Sequence, residues 1–414
     1  MRVVHPSIYL KQHQQARRKR RNRKIWLTIV FLLITAYGVL AYLVKPVYEP
    51  TVYGSSLERQ VVDLPWPTSG SASIGEIDSD LVMGQSKGNS VLPTASTIKI
   101  LTALVLLKEK PLGETEIGPI ISFDEADVAS TEALKALGAS VFTVAPGTSL
   151  TYREALDVML LQSANNIADK LAVWGFGSND AYLLAAKNYA DVNRLSKTVI
   201  SDASGLSPDT KSTANDLLTL TKLALSDPLV KQIVSQKTAT LSDGTVVTNT
   251  NQLLGDGYTG VKTGFTNEAG ACLLLSKETV VKGRKIEAIV VLQGQVDRQT
   301  ANTVGQDIMG DFLAGYMERQ ILSKDQAVGF YLSPWGSKTP ILAHDNLLIV
   351  SYIGSSVNGL IDANESITEG KKGDAVGVFS AEGSSMNVDL GANLPSAPIT
   401  WRLRHALDFI WEKL

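Results

Sequence analysis

The chain has 414 residues, which suggests two or three folding units, and its charge is unevenly distributed. Residues 1–44 carry nine Lys or Arg and no acidic residue, whereas residues 45–414 hold 30 basic against 41 acidic residues. An acidic main body excludes nucleic acid as an expected partner. The lone Cys272 and the absence of histidine between residues 14 and 343 exclude a Ser-His-Asp triad and a His or Cys metal site from the middle of the chain. No metal or organic cofactor is implied.

The N-terminal segment predicts a membrane anchor. Ile25–Val44 is an uncharged run of about 20 residues, enough to cross a bilayer as a helix. A basic cluster at Arg17–Lys24 precedes this run, so residues 1–24 should be cytoplasmic and the chain from residue 45 extracytoplasmic. A cleaved signal peptide is the alternative. The run is long for a signal peptide and no A-x-A site follows it, which favours a single-pass protein of the cell membrane.

The next segments predict a linker, a hairpin and a buried helix. Residues 45–68 are rich in Pro, Tyr and polar residues and are typical of a linker. Strand patterns follow at Ala72–Ile77 and near Leu81–Gly84, separated by a turn. Thr97–Lys110 is apolar nearly all round, which predicts a central helix buried on every side.

Residues 113–226 show mainly helical and loop patterns, and strand patterns return after them. Leu150–Trp174 predicts a helix, a break and a second helix, and Thr213–Ser226 predicts a helix that begins with a Ser or Thr cap. A hairpin turn is expected at Lys282-Gly283. The remaining predicted elements are strands at Tyr258–Lys262, Ala271–Ser276 and Lys285–Leu292 and a helix from Asp297 to about Gln320.

The last part of the chain predicts a small β domain at residues 325–400. Trp401–Leu414 forms an amphipathic pattern, and this helix either packs on its own domain or lies on the membrane surface. The strand candidates of the β domain are Phe330–Leu332, Leu347–Ile353, Leu360–Ala363 and Ala375–Ser380.

An S-x-x-K motif opens the predicted buried helix. Ser96 and Lys99 are three residues apart and project from one helix face. The hydroxyl of Ser96 would lie at the positive end of the helix dipole, where an oxyanion is stabilised. A lysine at the start of an apolar helix must find a polar partner or lose its charge. Either outcome suits a base for Ser96.

Two further motifs follow in a telling order. Ser163-Ala164-Asn165 lies between two helical patterns, and Lys262-Thr263-Gly264 ends a strand pattern. Each motif alone is common, and a Ser and an Asn between helices usually cap or turn. S-x-x-K, S-x-N and K-T-G together, in this order, are the signature of class A β-lactamases and penicillin-binding proteins.

Across residues 70–320 the chain resembles the D-alanyl-D-alanine carboxypeptidases among the low-molecular-weight penicillin-binding proteins. This resemblance implies a serine β-lactamase-like α/β (α+β) domain at residues 69–322, with an antiparallel sheet and a helical subdomain. The later β segment is loosely similar to the small second domain of these enzymes. Beyond the three motifs, the resemblance is carried by Pro93-Thr94-Ala95, Gly147–Leu171, Ser204–Ser207, Ser212–Ala214 and Gly260–Ser276, and in the β segment by Pro334–Gly336 and Gly370–Phe379.

The resemblance implies a role for each catalytic residue. Ser96 would attack the peptide carbonyl next to a terminal D-alanine. Lys99, kept partly neutral by burial and by the charge of Lys262, would be its base. Ser163 would relay a proton to the leaving amine, and Asn165 would hold Lys99 and the substrate amide.

The third motif is expected to bind the substrate. Lys262 would supply a positive field, and the hydroxyl of Thr263 would bind the substrate's terminal carboxylate. Gly264 would let the substrate approach the strand edge as an added strand. The backbone N–H of Phe265 and that of the nucleophile would form the oxyanion hole. Arg298 would pair with the same carboxylate or else form a surface salt bridge.

The expected partners are therefore peptidoglycan stem peptides ending in D-Ala-D-Ala, with β-lactams as covalent inhibitors. Two alternatives stay open. A β-lactamase of this fold usually needs a glutamate after the second motif, yet no Glu occurs between Ile167 and Glu268, and Ala164 stands where those enzymes have Asp. A non-catalytic β-lactam sensor would need a cytoplasmic effector, and about 24 cytoplasmic residues are too few to fold. A wall-binding module that only keeps the fold would tend to lose the nucleophile or the base, and both are present. Endopeptidase and transpeptidase activities use the same motifs.

Overall fold

The computed structural model describes residues 6–407, with side chains from residue 13 onward. A 3-10 turn, Ala95–Ile98, leads into α2, and a π-helical turn, Val158–Gln162, follows α4. The α-helices are α1 (Pro6–Leu43), α2 (Lys99–Glu109), α3 (Glu125–Ala136), α4 (Tyr152–Asp157), α5 (Asn165–Phe176), α6 (Asn179–Val192), α7 (Ala214–Ser226), α8 (Pro228–Val234), α9 (Arg298–Ala314) and α10 (Ile399–Arg404).

Most strands are short. They are β1 (Glu49–Val52), β2 (Ser56–Leu57), β3 (Ser71–Glu76), β4 (Gly84–Ser86), β5 (Leu92–Pro93), β6 (Ile120–Ser122), β7 (Ser149–Thr151), β8 (Lys211–Ser212), β9 (Thr238–Thr240), β10 (Val246–Thr248), β11 (Tyr258–Thr266), β12 (Gly270–Val281), β13 (Arg284–Gln295), β14 (Tyr316–Leu322), β15 (Ala327–Leu332), β16 (Lys338–Ala343), β17 (Leu347–Tyr352), β18 (Val357–Asn358), β19 (Leu360–Ala363), β20 (Ala375–Ala381) and β21 (Ser384–Leu390).

The described chain divides into two compact units. The larger unit comprises Glu58–Glu318 and Val350–Ser356, and the smaller unit comprises the rest of the described chain. The larger unit contains an antiparallel five-stranded sheet in the order β11-β12-β13-β3-β4, which leaves β11 as an edge strand.

The two faces of this sheet are covered by different helices. Leu273 and Leu275 of β12 belong to a core with Phe312 of α9, whereas Leu274 belongs to a core with Leu217 of α7. Successive strand residues point to opposite faces, so a strand that is covered on both faces has a continuous apolar sequence. The predicted α+β fold with an antiparallel sheet and a helical part is therefore confirmed.

The predicted central helix is also confirmed. Every residue from Lys99 to Leu107 is buried. The helical segment begins with a 3-10 turn at Ala95, two residues before the predicted start at Thr97. Helix α7 begins as expected, because the side chain of Thr213 accepts a hydrogen bond from the backbone N–H of Asp216. The hairpin turn at Lys282-Gly283 has positive φ angles of 48° and 85°, as a two-residue turn between twisted strands requires.

Three sequence predictions in this region were wrong in detail. The second strand comes later than Leu81–Gly84, because Lys222 of α7 donates hydrogen bonds to the carbonyls of Ser79 and Leu81. The helix expected to reach Gln320 ends at Ala314, and β14 follows it. The prediction of a linker at residues 45–68 was wrong in part. This segment contains β1 and β2, which pair with strands that come much later in the chain.

The smaller unit is built on a six-stranded sheet in the order β1-β15-β16-β21-β20-β19. Its core includes the fully buried rings of Tyr331 and Phe379. The sequence prediction omitted β16, which carries a proline and little alternation, and β21, whose residues 386–390 do alternate between apolar and polar and were overlooked.

The predicted anchor lies within α1. This helix is long and apolar enough, over residues 13–43, to cross a membrane. In the same unit, α10 packs on the end of α1: Arg402 donates to the carbonyl of Tyr42 at 2.9 Å, and the hydroxyl of Tyr37 donates to the carbonyl of Leu403. The predicted helix at 401–414 is thus present as α10 up to Arg404, and its last part, 408–414, lies outside the described residues.

Candidate active site

Ser96 and Lys99 face each other at the start of the central helix. The Nζ atom of Lys99 lies 2.9 Å from the Oγ atom of Ser96. Ser96 is the second residue of the 3-10 turn, so the short spacing between the two residues brings both side chains to one side of the element. A nucleophile and its base within hydrogen-bond distance are the first requirement of covalent catalysis.

Lys99 is fully buried and has two acceptors besides Ser96. Its Nζ atom lies 2.6 Å from Oδ1 of Asn165 and 2.6 Å from the backbone carbonyl oxygen of Ser204. A neutral amine has two N–H donors and one lone pair. The two acceptors match the two donors, which directs the lone pair at the hydroxyl of Ser96.

Burial also favours the neutral form of this amine. It lowers the pKa of Lys99 to about 7, although the carboxylates of Asp169 and Asp202 oppose the shift. Burial is the main cause of this lowered pKa, whereas the sequence prediction attributed part of it to the charge of Lys262. A base that is half neutral near pH 7 suits proton abstraction from a serine.

Lys262 is a second buried lysine next to the site. Its Nζ atom donates to the carbonyl oxygen of Thr263 at 3.0 Å, and 1% of the residue is exposed. Burial, together with the charges of Lys99 and Arg298, holds the pKa of Lys262 well below its usual value. An anion in the cleft would raise this pKa, because an opposite charge favours the protonated amine.

Ser163 marks the predicted break between two helices. It follows the π-helical turn and has φ 65° and ψ 31°, a left-handed conformation that is unusual for a residue with a side chain. Only 5% of Ser163 is exposed, and it lines the same cleft as Ser96. Strained backbone of this kind is concentrated at functional sites.

The edge strand β11 carries the K-T-G motif to the cleft. The hydroxyl of Thr263 lies 2.8 Å from that of Thr250. Gly264 packs directly on the nucleophile segment: a Cβ atom at this position would lie 2.8 Å from the backbone N of Ser96 and 2.9 Å from Cβ of Ala95. The absent side chain therefore allows β11 to approach Ser96 itself, a role for Gly264 beyond the substrate approach expected from the sequence.

Arg298 is the first residue of α9 and lies at the cleft. Its guanidinium group is 5.5 Å from the ring centroid of Phe265, a cation–π distance. Within the described part of the chain, Arg298 forms no ion pair, so the alternative of a surface salt bridge is not observed. The exposed cation is available to an anionic ligand.

These residues surround one cleft of 430 Å³ in the larger unit. The structure brings together every predicted site residue: Ser96, Ser163, Asn165, Thr263, Gly264, Phe265 and Arg298 line the cleft, and Lys99 and Lys262 lie behind its wall. Sequence reasoning assigned no role to Ser204, Thr250 or Glu268. The Ser-Gly-Leu-Ser stretch was noted for the family resemblance, but nothing in it indicated that a carbonyl would accept from Lys99.

Residues 60–295 match the family model described as D-alanyl-D-alanine carboxypeptidase. Among curated proteins, DacB2 of Mycobacterium tuberculosis is 33% identical over 204 residues, which cover 47% of this chain and 66% of that protein. The D-alanyl-D-alanine endopeptidase of Escherichia coli is 27% identical over 261 residues, which cover 61% of this chain and 80% of that protein.

Solved structures show the same fold. The carboxypeptidase DacD of Francisella tularensis superimposes with a TM-score of 0.57 at 17% identity, over 82% of this chain and 98% of that one. The D-alanyl-D-alanine carboxypeptidase of Mycobacterium tuberculosis gives a TM-score of 0.52 at 26% identity, over 62% of this chain and 94% of that one. Since the family model covers more than half of the sequence, the chain belongs to the D-alanyl-D-alanine carboxypeptidase family.

Proposed function

We propose that this protein is a membrane-anchored serine carboxypeptidase that removes the terminal D-alanine from peptidoglycan stem peptides. The observation that carries the proposal is the hydrogen-bond pattern of Lys99, whose two acceptors leave its lone pair for Ser96. Family membership supplies the reaction class, and the cleft supplies space for an extended peptide beside the edge strand β11.

Acylation begins when Lys99 takes the hydroxyl proton of Ser96. The Oγ atom then attacks the carbonyl carbon of the penultimate D-alanine, and negative charge develops on the carbonyl oxygen. The backbone N–H groups of Ser96 and Phe265 are the proposed oxyanion donors, each typically contributing about 3 kcal/mol. Collapse of the intermediate breaks the peptide bond, and the departing amine receives a proton through Ser163.

The terminal carboxylate of the substrate would bind at one end of the cleft, and the rest of the stem peptide would lie toward the other end. Arg298 offers an exposed cation, and Thr263 offers a hydroxyl already held by Thr250. The carboxylate would also raise the pKa of Lys262, which restores the charge that burial disfavours in the free enzyme.

Water completes the cycle by hydrolysing the ester on Ser96, with Lys99 again as base. A β-lactam would acylate Ser96 in the same way, but its ring opens without losing a fragment, so the bound group keeps water from the ester. One structural neighbour, penicillin-binding protein D2 of Listeria monocytogenes, was solved in a cefotaxime-bound form (TM-score 0.51, 24% identity, 61% of this chain and 99% of that one).

The proposal places the larger unit outside the cytoplasmic membrane. It rests on α1, which is long enough to span a bilayer, and on the basic cluster at Arg17–Lys24 before the apolar stretch. A cytoplasmic N-terminus would put the cleft on the side of the membrane where peptidoglycan is found.

The test is acylation of the full-length protein, solubilised in detergent micelles, by a fluorescent penicillin. We expect one slowly released adduct, which mass spectrometry locates on Ser96. Ser96→Ala should give no adduct, and Ser201→Ala, which changes an exposed serine that does not line the cleft, should label like the native chain.

A second measurement separates the activities. Release of D-alanine from a peptide ending in D-Ala-D-Ala would establish the carboxypeptidase. Cleavage of crosslinked peptides alone would make the protein an endopeptidase, and rapid turnover of a chromogenic β-lactam would make it a β-lactamase. An adduct on any residue other than Ser96 would overturn the proposed mechanism.

A further inference from the structure

Glu268 lies on a tight turn at the rim of the active-site cleft. The turn joins β11 to β12, and the hydroxyl of Thr266 accepts a hydrogen bond from the backbone N–H of Ala269 at 3.1 Å. Ala269 is buried in a small cluster with Ala95, the residue before the nucleophile, and with Cys272. The backbone of Glu268 is therefore held at a fixed position relative to Ser96.

The charge pattern of the cleft is simple. Of the residues that line it, only Arg298 and Glu268 carry a formal charge, one of each sign. The carboxylate of Glu268 is exposed, and among the described residues no hydrogen bond or ion pair engages it. Because Glu268 lines the cleft and its carboxylate is not engaged by another described residue, a cationic group of a bound peptide could pair with it.

The register of a peptide beside β11 decides which of its residues lies next to the turn that carries Glu268. If the penultimate D-alanine exchanges hydrogen bonds with Phe265 as an added antiparallel strand, the terminal D-alanine lies opposite Gly264. The preceding residue then lies opposite Thr266, next to the turn that carries Glu268. The carboxylate end of the peptide then lies toward Thr263, and the side chain before D-Ala-D-Ala lies toward the turn that carries Glu268.

We propose that Glu268 is a specificity-determining residue, which selects peptides with a free cationic side chain immediately before D-Ala-D-Ala. The chemical class is an L-diamino acid whose side-chain amine is unblocked. This inference rests on the proposed carboxypeptidase function, and it adds which stem peptides the cleft prefers. The selection is electrostatic, so it weakens as salt screens the pair.

The experiment compares two peptides and two variants of the full-length protein in detergent micelles. One peptide ends in L-Lys-D-Ala-D-Ala with a free ε-amine, and the other has the same amine acetylated. The measured quantity is the ratio of kcat/KM for the two peptides. We expect the native chain to prefer the free amine about two- to fivefold, the range of a partly exposed ion pair.

Glu268→Gln should bring this ratio close to one, and Glu268→Lys should bring it below one. Glu109→Gln is the matched control, because it removes the same charge from an exposed position outside the cleft and should keep the native ratio. A native ratio near one, or a native preference that survives in Glu268→Gln, would overturn the role of Glu268 while the carboxypeptidase stands.

Failure of the proposed function looks different. If the native chain released D-alanine from neither peptide, the reaction itself would be wrong, and the inference about Glu268 would fall with it. Labelling of Glu268→Gln by penicillin at the native rate would show that the variant is folded with an intact nucleophile, so that a changed ratio reports selection.

Discussion

Lys99 joins complete burial to a complete set of hydrogen-bond partners, and this combination gives the site a defined pH dependence. Its amine must be neutral to accept the proton of Ser96. Because its pKa is lowered to about 7, the neutral fraction rises as the pH passes upward through about 7. The rate constant for acylation by a β-lactam should therefore rise between pH 5.5 and about 8 and then level off.

Stopped-flow or quench measurements of acylation at several pH values check this prediction. Asp169→Asn provides a directional control, because loss of a carboxylate that raises the pKa of Lys99 should move the rise to lower pH. A rate that is flat over this range, or that falls with pH, would contradict a neutral Lys99 as the base.

Gly264 supports a second prediction at this scale. Gly264→Ala would place a Cβ atom 2.8 Å from the backbone N of Ser96, and backbone on both sides leaves little room to adjust. We expect a loss of about 1–3 kcal/mol of stability, as in other overpacked sites, and acylation at least tenfold slower because the nucleophile is displaced.

Gly310 of α9 is the matched control for this change. A Cβ atom there would meet nothing within 4 Å, and the position is an exposed helix interior. Gly310→Ala should therefore raise the thermal unfolding midpoint, since alanine favours the helix by about 0.8–1 kcal/mol. If both variants lowered stability equally, the close approach at Gly264 would not be the cause.

The site residues differ in how far the sequence predicted them. Ser96, Lys99 and Asn165 were accessible because their spacing is local and the motifs occur in a fixed order. The partners Ser204 and Thr250 were not, because only tertiary folding brings a carbonyl and a hydroxyl from distant loops to the cleft. No local pattern marks a backbone carbonyl as the acceptor of a buried amine.

At the scale of elements, the N-cap of α7 allows the contribution of a single hydroxyl to stability to be tested. This helix covers one face of the five-stranded sheet, and the hydroxyl of the fully buried Thr213 accepts from the N–H of Asp216 at 3.1 Å. Thr213→Ala should be less stable than Thr213→Ser by about 1 kcal/mol, because both variants lose the methyl group and only the serine keeps the cap.

A thermal shift assay on the full-length protein measures the difference. For a unit of this size it should correspond to about 2–4 °C between the two variants. Equal midpoints for Ala and Ser would show that the hydroxyl contributes nothing and that any loss comes from packing.

Elements with strong local patterns were predicted well, and elements that depend on distant partners were not. The buried α2 has a continuous apolar sequence, and the capped α7 has a continuous helical pattern, each over about three turns or more. Strand β1 spans four residues, three of them exposed, so its sequence carries little alternation. Its strand conformation comes from pairing with β15, about 280 residues later in the chain.

For the whole molecule, the proposed topology makes a labelling prediction. In intact cells, a membrane-impermeant maleimide should label Val61→Cys, whose parent side chain is fully exposed in the larger unit. It should label Gln15→Cys, on the other side of the apolar stretch, only after the cells are permeabilised. Both variants carry Cys272→Ala so that the buried native thiol does not contribute.

Labelling of Gln15→Cys in intact cells, together with protection of Val61→Cys, would reverse the topology and remove the cleft from its proposed substrate. Labelling of both positions would indicate that α1 does not span the membrane.

The pairing of β1 with β15 has a mechanical consequence. The polypeptide leaves α1 at Leu43 and enters the sheet of the smaller unit at Glu49, before it reaches the larger unit at Glu58. Tension between the anchor and the larger unit would therefore load the hydrogen-bond ladder of β1 before it reached Glu58. A pull on α1 would therefore have to separate the four paired residues of β1 from β15 before it could extend the chain that leads to Glu58.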